Sequence, residues 1–362
     1  MSFFKGLTAQ SLQKFKTNIW GVSSLCIMIL MGFIAVFAYA IAPDNSQYAN
    51  QMHVSIHSKS PGFRVKMLSI PHSKESLNNP FQTFFFGKAY PPKEIPVTDY
   101  YMENNSLYYT EYPTSLSDGI LSEISLDQLY QQGQDAVSER CFLLGTDKYG
   151  RDLLSRILIG TRISFFIGFI AVAISIIIGL SLGSIAGYFG GRIDAIIMWI
   201  ISVTWSIPTL LLVIAITLAL GKGFWQVFVA VGLTMWVEVA RLVRGQVIGV
   251  KHMQYITAAR ALGYGDLRII LRHIIPNVIA PVIVISAANF AAAILIESGL
   301  SFLGIGAQPP MSSWGAMIKD HYNYILLGKA YLAVIPGFCI MVLVLSVMMF
   351  GNALRDALDV RI

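Results

Sequence analysis

Residues 163–188 read ISFFIGFIAVAISIIIGLSLGSIAGY, an unbroken apolar stretch with no charged side chain. About 20 such residues coiled as a helix cross the roughly 30 Å hydrocarbon layer of a bilayer, and in lipid only a helix or a closed barrel satisfies every backbone amide. The stretch lacks the apolar–polar alternation of a strand, so it predicts a helix. Outward from it, comparable runs lie at 19–42, 193–220, 224–243, 278–303 and 332–351. Together the runs predict an all-α polytopic membrane protein of six transmembrane helices. The runs at 193–220 and 224–243 are parted only by Gly221-Lys222-Gly223. Composition agrees: 55% of the 362 residues are hydrophobic and 13% charged, with a mean hydropathy of +0.62, unlike an ordinary soluble domain.

The formal charge of +6 comes from basic residues set in short runs between apolar stretches. They do not form one continuous face, so they read as a topology signal and not as a nucleic-acid surface. Lys5, Lys14, Lys16, Arg192, Arg241, Arg244, Lys251, Arg260, Arg268, Arg272, Arg355 and Arg361 fall on one side of the spans. Lys148, Arg151, Arg156, Arg162, Lys222, Lys319 and Lys329 fall on the other. The richer side is expected to be cytoplasmic, and it holds both termini. The first run ends in Ala38-Tyr39-Ala40, which resembles a signal-peptide cleavage site. At about 24 residues, however, it exceeds the roughly 7–15 of a signal core and is long enough to be retained as a span. Of the cysteines, Cys26 and Cys339 lie in apolar runs, so no disulfide framework is readable, and Cys141 is expected to face water.

Residues 43–141 are rich in Ser, Pro, Asn and Tyr and predict a small extracytoplasmic insert between the first two helices. Alternation around 100–112 suggests strands, and 121–132 suggests a short helix started by Ser117 or Asp118, giving an α+β insert. The domain division expected is therefore 1–42, 43–141 and 142–362. The two halves of the chain are not inverted copies of each other and no repeat is visible, which argues against a secondary transporter.

The stretch most informative about function is YITAARALGYGDLRIILRHIIPN at 255–277. Ala258, Ala259, Ala261 and Leu262 favour a short helix, Gly263 and Gly265 permit a left-handed turn that ends it, and Asp266 is placed to cap a second. The result is a helix–turn–helix hairpin outside the membrane, whose small alanines admit another protein's surface and whose Arg260, Arg268 and Arg272 anchor it. The plainer reading is an amphipathic connector resting on anionic lipid. Asp147, Arg151, Asp152 and Arg156 have helical spacing and predict a charged helix at the membrane surface. They lack the His or Cys companions of a metal site. Glu297 lies inside the fifth run, where a carboxylate is costly unless it faces the bundle interior, water or a partner. Asn289, eight residues earlier, shares its face, so the two could line a solute path. Equally, Glu297 could be a helix-end residue bonded to the 299–306 loop. The chain has no G-x-x-x-x-G-K-[ST], no G-x-G-x-x-G after a strand and no H-E-x-x-H. No catalytic, cofactor or metal site is expected in it, and any ATP hydrolysis must come from another chain.

At these residues the sequence resembles the type I permeases of ATP-binding-cassette importers. Their signature is Glu-Ala-Ala, three residues, Gly, nine residues, Ile-x-Leu-Pro. Thr257, Ala258, Ala259, Gly263, Ile275 and Pro276 stand at matching positions, with Thr257 in place of the acidic residue and His273 at the signature's first Ile. The blocks FLLGTDKYGRDLLSRILIGTRIS (142–164), GYFGGRIDAIIMW (187–199) and ILIESGLSFLGIGAQPPMSSWGAMI (294–318) resemble the dipeptide and oligopeptide permease subfamily. The resemblance covers 142 to the end and the first helix, and leaves out the insert. It implies a multi-pass subunit of the bacterial inner membrane that works with a second, similar permease, two cytoplasmic ATPases and an extracytoplasmic solute-binding protein. The ATPases would push on a coupling loop at about 250–276 and tilt the bundles. Relatives in that subfamily carry dipeptides, longer peptides, nickel chelates or antibiotic peptides. Two rivals stand beside this reading: a self-sufficient channel or secondary transporter using Glu297, and a membrane-anchored binding protein that works through its insert.

Overall fold

The computed structural model describes residues 9–74, 79–113, 119–129, 136–221 and 223–358. Twelve helices and five strands follow in order. They are α1 (Ala9–Thr17), α2 (Ile19–Ile41), β1 (Phe63–Ile70), α3 (Pro80–Phe86), β2 (Lys93–Glu103), β3 (Ser106–Glu111), β4 (Leu121–Ser125) and β5 (Val137–Phe142), then α4 (Leu153–Phe189) and α5 (Gly191–Trp205). After these come α6 (Thr209–Ala219), α7 (Phe224–Val250), α8 (Gln254–Ala261), α9 (Asp266–Ile269), α10 (Ile275–Leu303), α11 (Trp314–His321) and α12 (Tyr331–Leu358). Among the described residues, five helical stretches are long and apolar enough to cross a membrane: Ile19–Ile41, Leu153–Phe189, Trp225–Val250, Asp266–Leu303 and Tyr331–Leu358. A sixth is formed only if α5 and α6 count as one span, because they meet at 94°.

That bend corrects the expectation of a single helix over 193–220. Pro208 has no N–H to donate, and it pushes Ile207 before it out of the helical region, so the chain turns at Ser206-Ile207-Pro208 although no charged residue interrupts the run there. Hydropathy registered the length of the run but not its break.

The chain divides into two compact units, one of Met1–Met31, Ser164–Gln308 and Ile340–Ile362, the other of Gly32–Ile163 and Pro309–Cys339. In the first, α4 lies against α7 backbone to backbone. Gly179, Gly183 and Gly187 recur every four residues along one face of α4. A Cβ at Gly183 would come within 2.5 Å of the Ala240 carbonyl oxygen, and one at Gly187 within 2.8 Å of Val247. Lipid tails supply no hydrophobic drive between helices, so such close approach, and the dispersion it permits, holds the pair.

In the second unit the strands form one antiparallel sheet in the order β4-β3-β2-β1-β5. Leu68, Ile95, Val97, Leu107, Tyr109, Leu129 and Ala136 bury a core on one face of it. The strands expected around 100–112 are β2 and β3, whose Tyr101 and Tyr108 stack at 5.2 Å. The helix expected over 121–132 is absent where the chain is described: 121–125 is strand β4, followed by a 3-10 turn at Leu126–Gln128. The free edge of β3 offers a row of backbone partners, and pairing with it outweighs a weak local helix preference. Ser117 and Asp118, its expected starters, lie outside the described residues.

The predicted charged helix at 147–156 is also corrected, because α4 begins only at Leu153 and 147–152 is a turn that buries Asp147, Arg151 and Asp152. Gly150 has φ +74, and a Cβ there would stand 1.8 Å from the His53 carbonyl oxygen, so helical geometry is excluded. The Asp147 carboxylate accepts the N–H groups of Tyr149 (2.8 Å) and Arg151 (3.0 Å) and the Arg151 Nε at 2.6 Å, with Arg156 Nε 3.6 Å away. Ser312 Oγ donates to the Arg156 carbonyl at 2.9 Å and Trp314 Nε1 to that of Ile157 at 3.1 Å. Two of the sequence blocks, 142–164 and 294–318, are thereby joined.

Burial governs titration around this turn. The His321 imidazole is held below its usual range by burial, and its Nδ1 lies 2.7 Å from the Met317 carbonyl, which can only accept. The ring is therefore neutral with its proton on Nδ1, leaving Nε2 to accept the Lys148 N–H. His53 is pushed down to about 4 by burial and by the nearby Arg140 guanidinium, which itself bonds Glu94.

Candidate functional site

The hairpin at 254–276 is built from its isoleucines outward. Ile256 and Ala259 of α8, Ile269 of α9 and Ile270 and Ile274 beyond it are buried in one cluster with Tyr188, Val239, Val243, Val247, Val278 and Val282. Each fully buried isoleucine contributes on the order of 2 kcal/mol relative to exposure. The hairpin is thus seated on the end of α4 and on α7.

Its turn needs glycine at one place. Gly263 has φ +77, and the N–H of Tyr264 reaches back to the Ala259 carbonyl at 3.2 Å, closing the C-terminus of α8. Gly265 differs from the expectation: its φ is −68 with ψ 153, extended backbone just before α9 and not a left-handed turn. Asp266 is not a side-chain cap either. It stands at the first position of α9, where its Oδ1 accepts the Tyr188 hydroxyl at 2.6 Å.

A further contact fixes the hairpin to its base: the Arg260 guanidinium lies 5.1 Å over the Tyr188 ring. The base is itself tied together, Lys251 Nζ donating from the end of α7 to the Gly187 carbonyl of α4 at 3.0 Å and Arg244 of α7 gripping Asp194 of α5 with two bonds of 2.5 and 2.6 Å. Sequence reading assigned no role to Tyr188 or Asp194. Both lie in the 187–199 block, and their pairing partners arrive from 78 and 50 residues away.

Between α9 and α10 the helix is not interrupted but widened into a π turn at Ile270–Ile274. Pro276 explains it: the ring has no N–H and collides with the carbonyl four residues back in a regular α-helix, and a wider turn relieves both.

The outward face carries Thr257, Ala258, Arg260, Leu262, Leu267 and Arg268, all exposed, with Leu262 at 73%. The face is thus a small alanine beside two protruding leucines, rimmed by arginines. The alanine pair is not one surface, however. Ala259 is 4% exposed and belongs to the hairpin's own core, so only Ala258 faces outward.

Glu297 and Asn289 are both buried on α10. Ser301 Oγ donates to Glu297 Oε1 at 2.6 Å and accepts the Ala307 N–H at 3.0 Å, linking the carboxylate to the loop beyond Gly304. This is the helix-end arrangement. A separate groove of about 510 Å³ opens between α7, α10 and α12, lined by Leu242, Pro281, Val284, Ala288, Gly351 and Arg355 among others. Sequence reasoning missed it, although Pro281 and the small residues facing it were visible. Among the described residues, no group of three or more His, Cys, Asp and Glu is placed to hold a metal.

Residues 179–362 match the family described as "binding-protein-dependent transport system inner membrane component". A dipeptide transport system permease protein of Bacillus subtilis is 42% identical over 215 residues, 59% of this chain and 67% of that protein. A glutathione transport system permease protein of Pectobacterium atrosepticum is 41% identical over 216 residues, 60% of this chain and 71% of that protein. Among solved structures, an inward-facing MetNI methionine ABC transporter aligns with a TM-score of 0.47 at 16% identity, covering 56% of this chain and 96% of that one.

Proposed function

Because the chain belongs to the family of inner membrane components of binding-protein-dependent transport systems, we propose that it is the membrane-spanning permease subunit of an ATP-driven peptide importer. The observation that carries the mechanism is the 254–276 hairpin, a knob fixed by Tyr188–Asp266 and Arg260–Tyr188 on a base that Lys251–Gly187 ties together, with an apolar outward face. A mobile connector would transmit no displacement. This one is packed so that a push on Ala258, Leu262 and Leu267 moves α4 and α7 with it. Thr257, Ala258, Arg260, Gly263, Gly265, Asp266 and Pro276 form the contact and its support, whereas Ala259 supports from within.

ATP is bound and hydrolysed by two partner ATPases, this chain supplying no phosphate loop. A second permease completes the pathway, and an extracytoplasmic binding protein delivers solute. The peptide names of both relatives favour a peptide over the nickel chelates admitted on sequence grounds, and family membership favours a coupled importer over a self-sufficient channel. Both termini lie in the cytoplasm with Cys141 outside, and the transporter body is 142–362.

Replacing Ala258 by Trp tests the coupling. The bulky ring leaves the hairpin core untouched and blocks close approach. Normal membrane levels with loss of ATPase co-purification and of uptake are expected; full uptake would refute the mechanism.

A further inference from the structure

Helix α3 lies in the connection between β1 and β2, outside the family match. Its sequence, PFQTFFF, has no charge and puts Phe81, Phe84 and Phe85 on one face at i, i+3 and i+4. The helix is firmly placed. Asn79 Oδ1 accepts the Phe81 N–H at 3.0 Å at its start. At its end Gly87 has φ +81, and a Cβ there would stand 2.7 Å from the Tyr39 ring. Lys88 N–H donates to the Asn45 carbonyl at 2.8 Å and Gln47 N–H to that of Lys88 at 3.1 Å, tying α3 to the exit of α2.

A file of rings runs from α2 onto α3. Phe33 and Phe37 are 4.5 Å apart, Phe37 and Phe84 5.5 Å, Phe84 and Phe85 5.0 Å, and Phe85 and Phe81 4.9 Å. The file begins on a membrane-crossing helix of 23 residues, about 34 Å long against about 30 Å of hydrocarbon. Phe37 sits four residues from its end, about 6 Å by helical rise, hence at the hydrocarbon edge. Nonetheless α3 buries none of its residues, and Phe81 and Phe86 are 70% and 62% exposed. Water is a poor neighbour for such a patch. Phe33 on α2 is itself 53% exposed, as a residue facing lipid would be, and α3 continues the same surface.

We infer that α3 is an interfacial membrane anchor, lying along the bilayer surface at the end of α2 with Phe81, Phe85 and Phe86 sunk into the boundary between headgroups and acyl chains. It holds the connection between β1 and β2 at a set depth. The inference rests on α2 crossing the bilayer and not on what is transported.

The test uses the full chain in phosphatidylcholine vesicles, with Cys26, Cys141 and Cys339 replaced by serine. A nitroxide is attached in turn at Phe81→Cys, Phe86→Cys, Val36→Cys on α2 and Tyr101→Cys on β2. Collision rates with oxygen, which partitions into lipid, and with a water-soluble nickel chelate are then compared. Labels at 81 and 86 should resemble that at 36, with a chelate collision rate several-fold below that at 101. Either position suffices if the other variant fails to fold. Labels at 81 and 86 that behave like 101 overturn the anchor, as does shielding that appears only when the solute-binding protein is added. A water-exposed label at 36 removes the premise that α2 is in lipid and overturns it too.

Discussion

The hairpin at 254–276 and the sheet of β1–β5 stand for two ways of adding structure to a chain of long apolar helices. The hairpin has no core without the helices beneath it: its five buried residues share one cluster with six from α4, α7 and α10. The sheet draws its core from its own strands and the turns between them, Leu68 through Ala136. Dependence on the helices suits a part that must move with them, and independence suits a part that need only persist. Perturbations of the hairpin should therefore appear as lost transport, and perturbations of the sheet as lost local stability.

The sharpest way to break this contrast is the alanine pair. Ala259→Trp forces an indole into the buried cluster, where overpacking costs about 1–3 kcal/mol or more, and should lower the amount of folded protein seen by detergent-extracted size exclusion. Ala258→Trp should leave that amount unchanged and abolish uptake. Equal behaviour of the two variants would mean that the hairpin does not have separate inner and outer faces.

For the sheet the lever is His53. Its folded value of about 4 lies below the ordinary 6.5, so between those limits the unfolded chain binds a proton that the folded chain does not. Stability should then fall as pH drops from 7 toward 4, by on the order of 3 kcal/mol from this group. Glu94, raised by burial, acts in the opposite sense from about 4.5 upward. Comparison with His53→Gln removes the histidine's titration while keeping Glu94, whose Oε2 lies 3.9 Å from the His53 Nε2. Hydrogen exchange in β1 and β2 should show a shallower acid loss in the variant, while ATPase binding at the hairpin stays the same. An identical acid slope in both proteins would contradict the assignment.

Tyr188→Phe removes one hydrogen bond to a carboxylate, worth about 1.5–3 kcal/mol, and keeps the ring under Arg260. Uptake should fall several-fold at unchanged solute affinity, with no effect on exchange in the sheet. Glu297→Gln should be milder still, because an amide oxygen can accept the Ser301 hydroxyl, whereas Glu297→Leu cannot and should impair transport more. Equal, wild-type uptake by both would leave Glu297 without a role. Orientation is checked separately: an impermeant thiol reagent should label Cys141 in intact spheroplasts.

The spans were legible because lipid makes a length requirement that composition alone can meet, and the hairpin because Gly263 marks a turn that few other residues allow. Legibility failed where a distant partner decides the outcome. Asp147 and Arg151 have helical spacing, yet Gly150 is fixed by the backbone of His53, nearly a hundred residues earlier. Leu121–Ser125 becomes a strand because β3 has an edge to fill. Ala258 and Ala259 are identical in sequence, and only the isoleucines of α9 and the π turn determine which of them turns inward. Pro208 was a fair warning of the bend that a continuous apolar run concealed.

The π turn at Ile270–Ile274 has one more consequence, which concerns phase. It holds one residue more than a regular turn, and one residue is about 100° of helical rotation. The face counted forward from Asp266 by steps of 3.6 therefore arrives at α10 about a quarter-circle out of step. Asp266 can meet Tyr188 while Asn289 and Glu297 are both turned into the protein, a combination tuned by a single surplus residue, as one added tooth resets how two gears mesh.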